Sequence, residues 1–395
     1  MSRVFITGIG AISAIGYTVA ENHRALLLGQ CGISTVNNFP SRHAGTLPLG
    51  EINTDTDTLH QSLRAGDPAL TRTHLLALHA SQEAIQDARL TLSQLSSPDT
   101  ALIGATTVGG LCLMDEFYRD VHRTSDGSPF LANYNAASVT MYLQAYYNMQ
   151  GIVNTFNTAC SSSANAIMYG ARLIQHGLAR RAIVGGADSL SKLTINGFNA
   201  LRILSPEICT PFDRDRQGLN LGEGAAFLIL EKEEDLAGKT PYASLSGYCN
   251  TNDAFHPSSL SAEGDGPFLA MKGALMSAGL GSEQIDFINA HGTGTENNDE
   301  VESRAMLRLF DSLPAFASTK SNIGHTLGAS GAIEAVYSIL NLAYQEVYAG
   351  LHFNQPIPAT GLQPVTTYKQ QPLQHVMSNS FGFGGNCTSL IFSKV

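Results

Sequence analysis

Alternating strand-like and helix-like segments predict an α/β fold for this chain of 395 residues. Short apolar runs at residues 4–7 and 100–104 have the length of buried strands, whereas residues 74–88 carry apolar side chains at helical spacing. The same order of elements recurs in the second half of the chain, although the residues themselves do not repeat. We therefore expect a duplicated α/β fold built from packed layers.

The predicted elements follow one another closely along the chain. Thr18 and Glu21 form a capping-box pattern just before the apolar run 25–28, which predicts a helix start. The other predicted strands are residues 151–158, 181–184, 225–230, 242–247, 286–290, 376–379 and 388–392, and the other predicted helices are residues 164–173, 267–278, 299–310 and 328–342. A charged stretch at residues 231–240 separates two strands, so we expect halves at residues 1–235 and 236–395.

The composition is typical of a large folded protein with free thiols. The chain is 43% hydrophobic and 14% charged, which supplies a large core and argues against disorder. A net charge of −10 argues against a nucleic-acid partner. Six dispersed cysteines without zinc-type spacing, and no signal-peptide pattern, predict reduced thiols, no metal site and a cytosolic location.

Cys160 is the candidate nucleophile. It lies between an extended segment and a small-residue helix, which predicts a sharp strand-to-helix turn. Free amides and the positive end of the helix dipole at such a turn favour the thiolate, which is the nucleophilic form. The alternative is a buried cysteine acting as a small apolar residue, and two histidines further along the chain weigh against it.

His291 is the first of these histidines. It ends a predicted strand and is followed by Gly292-Thr293-Gly294-Thr295. Strand ends are where α/β folds commonly place their chemistry, and glycines allow close approach of a substrate. The hydroxyls of Thr293 and Thr295 are available to a polar substrate group, so we expect His291 to be functional rather than structural.

His325 closes a polar loop, residues 320–325, that precedes a helix. Glu334 lies on that helix, where it can pair with Lys320. Such a pair fixes the loop and keeps the lysine protonated, because a buried lysine without a partner tends to lose its proton.

The run Phe381-Gly382-Phe383-Gly384-Gly385 places aromatic side chains among glycines directly after a strand. Glycines weaken a core strand, so this run predicts a mobile loop with an aromatic gate. Its backbone amides can also donate hydrogen bonds to an oxyanion.

Together these residue types indicate acyl transfer with formation of a carbon–carbon bond. A thiolate attacks a thioester and holds the acyl group, and two neutral histidines donate hydrogen bonds to a developing enolate oxygen. A cysteine hydrolase instead pairs its nucleophile with a base that a carboxylate or amide orients. Sequence spacing alone leaves both reactions open.

The chain resembles the elongating β-ketoacyl-acyl-carrier-protein synthases of fatty acid and polyketide synthesis. Four motifs of that family occur in order, at residues 158–161, 291–295, 320–325 and 379–385. The resemblance implies a thiolase-like duplicated fold with five layers, α-β-α-β-α. It also implies a dimer, substrates carried on the phosphopantetheine of an acyl-carrier protein, and no cofactor.

The resemblance further implies a role for each site residue. Cys160 would accept the acyl chain, and the amides of Cys160 and Phe383 would form the oxyanion hole. His291 and His325 would assist decarboxylation of malonyl and stabilise the enolate. Lys320, paired with Glu334, would organise the site. Phe383 and Phe381 would form the acyl gate, and Val108 would line the acyl pocket. Thr293 and Thr295 would lie beside the malonyl and pantetheine arm.

Two departures from the family pattern leave the pathway open. Glu296-Asn297-Asn298 precede Asp299, where housekeeping members usually have a proline and a glycine. Thr210 stands where those members often carry an arginine that meets the carrier protein. The departures point toward a specialised aryl-polyene or polyketide pathway, with a substitute basic patch expected from Arg64, Arg72, Arg119 and Arg123.

Three other hypotheses stay open from the sequence. A specialised ketosynthase could work with a chain-length-factor-like subunit. A thioesterase or thiolase-like enzyme could use Cys160, and a thiolase would add a second cysteine near the C-terminus, where Cys387 lies. A non-catalytic partner subunit would lack the nucleophile, so the presence of Cys160 argues against it.

Overall fold

The computed structural model describes residues 3–36, 38–123, 125, 127–236 and 238–395. Its elements in chain order are β1 (Val4–Ile12), α1 (Val19–Leu27), α2 (Thr56–Ser62), α3 (Arg72–Asp87), α4 (Leu92–Leu95), β2 (Thr100–Ala105), α5 (Met114–Arg123), α6 (Ser138–Tyr146), β3 (Val153–Phe156), α7 (Ser162–Gln175), β4 (Arg181–Asp188), α8 (Lys192–Ala200), β5 (Gly224–Lys232), β6 (Ala243–Asn252), α9 (Asp265–Ala278), β7 (Phe287–Asn289), α10 (Glu296–Leu309), β8 (Ala315–Ala317), α11 (Lys320–Ile323), α12 (Ser330–Tyr344), β9 (Glu346–Val347), β10 (Lys369–Gln370), β11 (His375–Phe381) and β12 (Asn386–Ser393).

The main sheet has ten strands in the order β3-β2-β4-β5-β1-β6-β12-β11-β7-β8. The sheet consists of two half-sheets that run outward from its middle, β1-β5-β4-β2-β3 and β6-β12-β11-β7-β8. In each half-sheet the first two strand pairings are antiparallel and the next two are parallel. In the described strands, the two half-sheets meet through two residue pairs, Phe5 with Ser244 and Ile6 with Ala243. The pairing is therefore duplicated, as the repeated element order predicted.

Five layers result from the way the helices pack. Helix α3 covers the outer face of the N-terminal half-sheet, and α9 with α10 covers that of the C-terminal half-sheet. Helices α7 and α12 contact strands of both half-sheets and each other, so they form the central layer. The α-β-α-β-α fold predicted from the resemblance is confirmed.

The starts of α7 and α12 pack closely, and this contact positions the site. Ser163 accepts a hydrogen bond from the Ala332 amide at 2.8 Å. A Cβ on Gly331 would lie 2.7 Å from the Ala164 nitrogen, so only glycine fits there. The turn before each of these two helices therefore opens onto the same region.

Most predicted elements are present, with shifted ends. The Thr18 hydroxyl caps α1 by accepting the Glu21 amide at 3.2 Å. The extended segment at residues 151–158 is a strand only from Val153 to Phe156, and α10 begins at Glu296, before the predicted start at residue 299. None of the described helices has the length and apolar character needed to span a bilayer.

Candidate active site

Cys160 lies on the turn between β3 and α7, as the sequence predicted. Ala159 has a φ of 53°, a left-handed conformation that is uncommon for a residue with a side chain. This strained residue directly before the cysteine sharpens the turn, as in nucleophile elbows of other enzymes. The sulfur is buried, with 6% of Cys160 exposed.

The structure brings both histidines to this sulfur. Ligand-capable atoms of Cys160, His291 and His325 all lie within 4.8 Å of one another. The two imidazole rings are nearly perpendicular, with centroids 5.4 Å apart. Three residues from distant parts of the chain thus form one buried cluster.

Burial sets the resting state of the cysteine. It raises the pKa of Cys160 to about 11, while the Lys320 charge and the backbone amides of Phe383 and Cys160 oppose this rise. The backbone amides favour the thiolate, as the sequence predicted, but they do not offset the burial of the sulfur. Desolvation of the sulfur outweighs the nearby positive groups, so the thiol is the resting form.

The two histidines are held as neutral hydrogen-bond donors. Burial first, and then the Lys320 charge, lowers the pKa of both His291 and His325 well below its usual range. His325 Nδ1 accepts the Leu327 amide at 3.3 Å, and His291 Nδ1 lies 3.2 Å from the Lys320 ammonium. Because each Nδ1 accepts, this network assigns the ring proton of each histidine to Nε2.

Lys320 and Glu334 form the predicted buried pair. Lys320 Nζ contacts Glu334 Oε1 and also donates to the His291 carbonyl at 2.7 Å. Ser330 donates to the same Glu334 oxygen at 3.0 Å. With His291 Nδ1, these contacts use all three donors of the ammonium, which fixes both the loop and the ring of His291.

Glu302 and Asp299 on α10 hold the loop after His291, and the sequence interpretation missed both roles. Glu302 accepts the amides of His291 at 2.9 Å and Gly292 at 2.8 Å. Asp299 accepts the Thr293 amide at 2.9 Å. Burial raises the pKa of Glu302 to about 7. The sequence shows only that Asp299 and Glu302 are three residues apart in a predicted helix. Such spacing is common in helices and does not point to a role in the site.

The turn at residues 382–385 lies against the nucleophile turn. The amides of Phe383 and Cys160 both contact the Cys160 sulfur. Phe381 is buried with its ring centroid 5.8 Å from that of His291. Phe383 is half-buried and stacks on Phe198 of α8 at 5.7 Å. The sequence interpretation missed Phe198, because nothing local links it to a loop so distant along the chain.

A cavity of about 480 Å³ opens at this cluster. Its wall includes the predicted residues Cys160, His291, Thr293, Thr295, His325, Phe381 and Phe383, and it adds Phe198 and residues 201–203, 217–219, 258–260 and 296–298. The hydroxyls of Thr293 and Thr295 are 2.8 Å apart. Val108 lies instead in a neighbouring apolar cluster with Cys112 and Leu327.

The Cys-His-His cluster also has the composition of a metal-ligand set, but its surroundings favour donors. A histidine that binds a metal through one nitrogen usually donates a hydrogen bond from the other. Here each Nδ1 accepts, so each Nε2 carries a proton and lacks a free lone pair. The arrangement fits donation to an oxygen better than metal ligation.

The structure changes the expected basic patch and places Cys387 on a strand, as its sequence pattern indicated. Arg72 does not belong to a surface basic patch, because its guanidinium binds the buried Glu223 carboxylate at 2.7 Å. Cys387 is buried in β12 opposite Phe381, outside the cavity wall, and burial raises its pKa. It therefore lacks the position that a second thiolase cysteine needs.

Fold and site together define a class of enzyme, the thiolase-like acyltransferases that carry an acyl group on a cysteine. The chain belongs to the beta-ketoacyl synthase family. Residues 1–236 match the model of its N-terminal domain, and residues 242–354 match that of its C-terminal domain.

Relatives of this chain are similar along their whole length. The 3-oxoacyl-[acyl-carrier-protein] synthase 2 of Synechocystis sp. is 35% identical, over 99% of this chain and 98% of that protein. The ishigamide ketosynthase/chain length factor has a TM-score of 0.92 at 30% identity, covering 100% of this chain and 99% of that chain. A ketosynthase (ApeO) solved with its chain length factor (ApeC) from Xenorhabdus doucetiae has a TM-score of 0.86 at 33% identity, with 100% and 98% covered. The predicted family is confirmed.

Proposed function

We propose that this enzyme lengthens acyl chains by two carbons, by condensing an acyl group held on Cys160 with a malonyl group on an acyl-carrier protein. The observation that carries the proposal is the state of His291 and His325. Both rings are neutral and each Nδ1 accepts, which leaves each Nε2–H as a donor. Among the described residues, the buried His325 Nε2 has no hydrogen-bond partner, so it is available to a substrate oxygen.

The reaction has three steps. The sulfur of Cys160 attacks the acyl thioester, the bond to the carrier's phosphopantetheine sulfur breaks, and the thiol proton leaves with the carrier. The malonyl group then loses carbon dioxide, and the electron pair of the broken bond forms an enolate whose oxygen accepts hydrogen bonds from His291 and His325. The enolate carbon attacks the acyl carbonyl, and Cys160 leaves as a thiolate that takes a proton from water.

The remaining site residues support these steps. The amides of Cys160 and Phe383 converge on the sulfur, where they can stabilise the oxyanion formed in each acyl transfer. Lys320 and Glu334 hold the ring of His291. Phe383, stacked on Phe198, would act as the acyl gate, with Phe381 behind it.

Thr293 and Thr295 would contact the malonyl group and its pantetheine arm. Both line the cavity of Cys160, and their hydroxyls point to each other at 2.8 Å. Val108 would reach an acyl chain only after the gate opens, since its apolar cluster contains Phe198 and borders the cavity there.

A thioesterase is the competing function for the same cysteine. It needs a histidine that takes a proton, oriented by a carboxylate or amide side chain. In the described part of the chain, neither imidazole ring is hydrogen-bonded to a carboxylate, and Glu334 is used by Lys320. The site therefore supports condensation over hydrolysis.

A dimer is the assembly that the sheet supports. Strand β3 is the outermost strand of the N-terminal half-sheet. Exposed apolar side chains beside it are Met141 and Tyr146 of α6, which packs against β3, and Ile152, which directly precedes the strand. An open edge beside apolar surface favours pairing with another chain. We propose that this face binds a second copy or a chain-length-factor-like subunit, and Met141→Lys should shift light-scattering mass toward the monomer.

Several predictions stay open. Housekeeping and specialised pathways are both consistent with the site. Of the arginines expected in the substitute basic patch, Arg64, Arg119 and Arg123 are exposed and Arg72 is not. The division at residues 235 and 236, the absence of a cofactor and the cytosolic location stay predictions.

The test is intact-protein mass spectrometry after mixing the enzyme with a panel of acyl-carrier-protein thioesters. We expect an adduct of the acyl mass on Cys160 and none on Cys160→Ala. The acyl group that loads best separates housekeeping from specialised use. An adduct on a residue other than Cys160 would contradict the proposal.

A further inference from the structure

Two tight turns from the two halves of the chain meet at the reactive sulfur. Residues 158–161 carry Cys160, and residues 382–385 carry Phe383. A Cβ on Gly382 would lie 2.7 Å from the Thr158 carbonyl oxygen and 3.1 Å from the Cys160 nitrogen. The turns therefore touch through backbone atoms, and their separation sets the distance between the two amides that contact the sulfur.

Asn386 is bonded to both turns. Its carbonyl oxygen accepts the Gly382 amide at 2.7 Å, which closes the second turn. Its side-chain Oδ1 accepts the Ser161 hydroxyl at 2.7 Å and the Asn165 Nδ2 at 2.9 Å, both from the side of the nucleophile. Asn250 of β6 donates a third bond to the same oxygen at 2.7 Å. Three donors around one oxygen fix the orientation of the Asn386 amide.

The nucleophile side of this network is fully buried. Ser161 and Asn165 are 0% and 3% exposed. Asn165 also donates to the Thr158 hydroxyl at 2.8 Å and accepts from the Thr388 hydroxyl at 2.9 Å. Hydrogen bonds in such a low-dielectric setting hold their geometry strongly, and each buried amide atom here has a partner.

We propose that Asn386 is a positioning residue that sets the spacing of the two oxyanion donors, the amides of Cys160 and Phe383. The inference rests on the proposed function and adds a residue outside the cavity wall. Without Oδ1, Ser161 can turn to the Thr158 carbonyl, already 2.8 Å away, and the turn at residues 382–385 loses its tie to the nucleophile. Displacements of a fraction of an ångström are enough to weaken oxyanion stabilisation.

Asn386 should affect one half of the chemistry and not the other. Acyl transfer to Cys160 depends on the two amides. Decarboxylation of malonyl depends on His291 and His325, whose rings are held by Lys320 and Leu327 and share no hydrogen bond with Asn386 in the described part of the chain. A general loss of folding would lower both activities together, so the two rates separate positioning from a structural role.

The experiment compares Asn386→Leu, Asn386→Asp and the control Asn341→Leu. Asn341 is also buried, near the far end of α12. Its replacement removes one hydrogen bond, which its side-chain amide donates to the Glu346 carbonyl. Acylation of Cys160 is timed by intact-protein mass spectrometry. Malonyl decarboxylation is timed in a Cys160→Gln background, where both histidines remain.

Asn386→Leu should slow acylation by about tenfold and leave decarboxylation within about twofold. Asn386→Asp keeps the acceptor oxygen and should restore acylation to within about threefold of the wild type. Asn341→Leu should leave the ratio of the two rates unchanged. Unchanged acylation in Asn386→Leu, or an equal loss of both activities, would overturn the inference, whereas a wild-type enzyme that never acylates would overturn the proposed function and this inference together.

Discussion

The two half-sheets share one strand pattern and carry different chemistry. In the N-terminal half, the connection after β3 bears Cys160 and enters α7; in the C-terminal half, the corresponding connection after β8 bears Lys320 and His325 and enters α12. His291 follows β7, whose counterpart β2 is followed by the loop of Val108. The candidate nucleophile thus comes from one half of the duplicated fold, and the two proposed neutral donors come from two neighbouring connections of the other half.

The outer edges of the half-sheets also differ. The edge of β8 is covered, because the Val365 amide donates to the Phe316 carbonyl at 2.8 Å. The corresponding edge at β3 carries only a local bond, from the Thr155 amide to the Asn154 side chain, on the outer side of the described strand. The half that bears the nucleophile is therefore the half suited to pair with another subunit.

Of the changes to the two halves, loss of the nucleophile should lower condensation activity the most. Cys160→Ala removes the proposed acyl-accepting group, so condensation should fall to background, at least about a thousandfold. Cys387→Ala is the matched control, because Cys387 is buried on a strand of the other half, and it should keep condensation within about threefold. The measurement is product formation from acyl- and malonyl-carrier proteins, and elongation by Cys160→Ala would contradict the account.

Removing a histidine donor of the C-terminal half should have the second largest effect on activity. His325→Ala should lower malonyl decarboxylation by about 10²–10³, the usual loss when an oxyanion donor is deleted. His74 is a buried histidine of the N-terminal half whose pKa burial lowers to about 4, and it serves as the control. His74→Ala should reduce stability while decarboxylation per folded molecule persists. Release of labelled carbon dioxide measures the rate of decarboxylation. Equal losses of this rate in the two variants would contradict a specific role for His325.

The buried ion pair beneath His291 should affect stability. Glu334→Gln leaves the Lys320 ammonium without its carboxylate, which should cost about 3 kcal/mol of unfolding free energy. The half-buried surface pair of Arg304 and Glu300 is the control, and Glu300→Gln should cost less than about 1 kcal/mol. Denaturant unfolding measures both, and similar losses would mean that Lys320 is not held as a buried charge.

The smallest and most specific effect is the pH dependence of Cys160 alkylation. Because burial raises the pKa of this thiol to about 11, the thiolate fraction should grow about tenfold per pH unit between pH 7 and 9 without a plateau. Peptide mass spectrometry after brief iodoacetamide treatment reports the rate at Cys160. The unfolded chain is the control: its rate should bend near pH 8.5, the ordinary pKa of a cysteine, and level off about one pH unit higher. A plateau below pH 8 in the folded enzyme would restore the thiolate expected from the sequence.

Local patterns made the candidate residues of the site predictable. Cys160 before a small-residue helix and His291 before glycines and threonines are signals contained within a few residues. The Thr18 cap and the Lys320–Glu334 pair span at most fourteen residues. Each of these predictions therefore needed only residues that are close together in the sequence.

Partners distant in sequence could not be predicted in this way. Arg72 looked like a surface arginine, yet it binds Glu223, which is 151 residues away. Asn386 bonds to Ser161 across 225 residues, and the stacking of Phe198 on Phe383 has no local signal. The pKa of Cys160 depends on how deeply tertiary packing buries the sulfur, which a helix-start pattern does not contain.

The central claim is tested most directly by the fate of the acyl group on Cys160. The acyl-enzyme is isolated, malonyl-carrier protein is added, and mass spectrometry measures how the acyl group partitions. Neutral donor histidines predict that most of it leaves as a β-ketoacyl chain two carbons longer, still attached to the carrier. Release mainly as free acid would show that a histidine activates water, and would contradict the account.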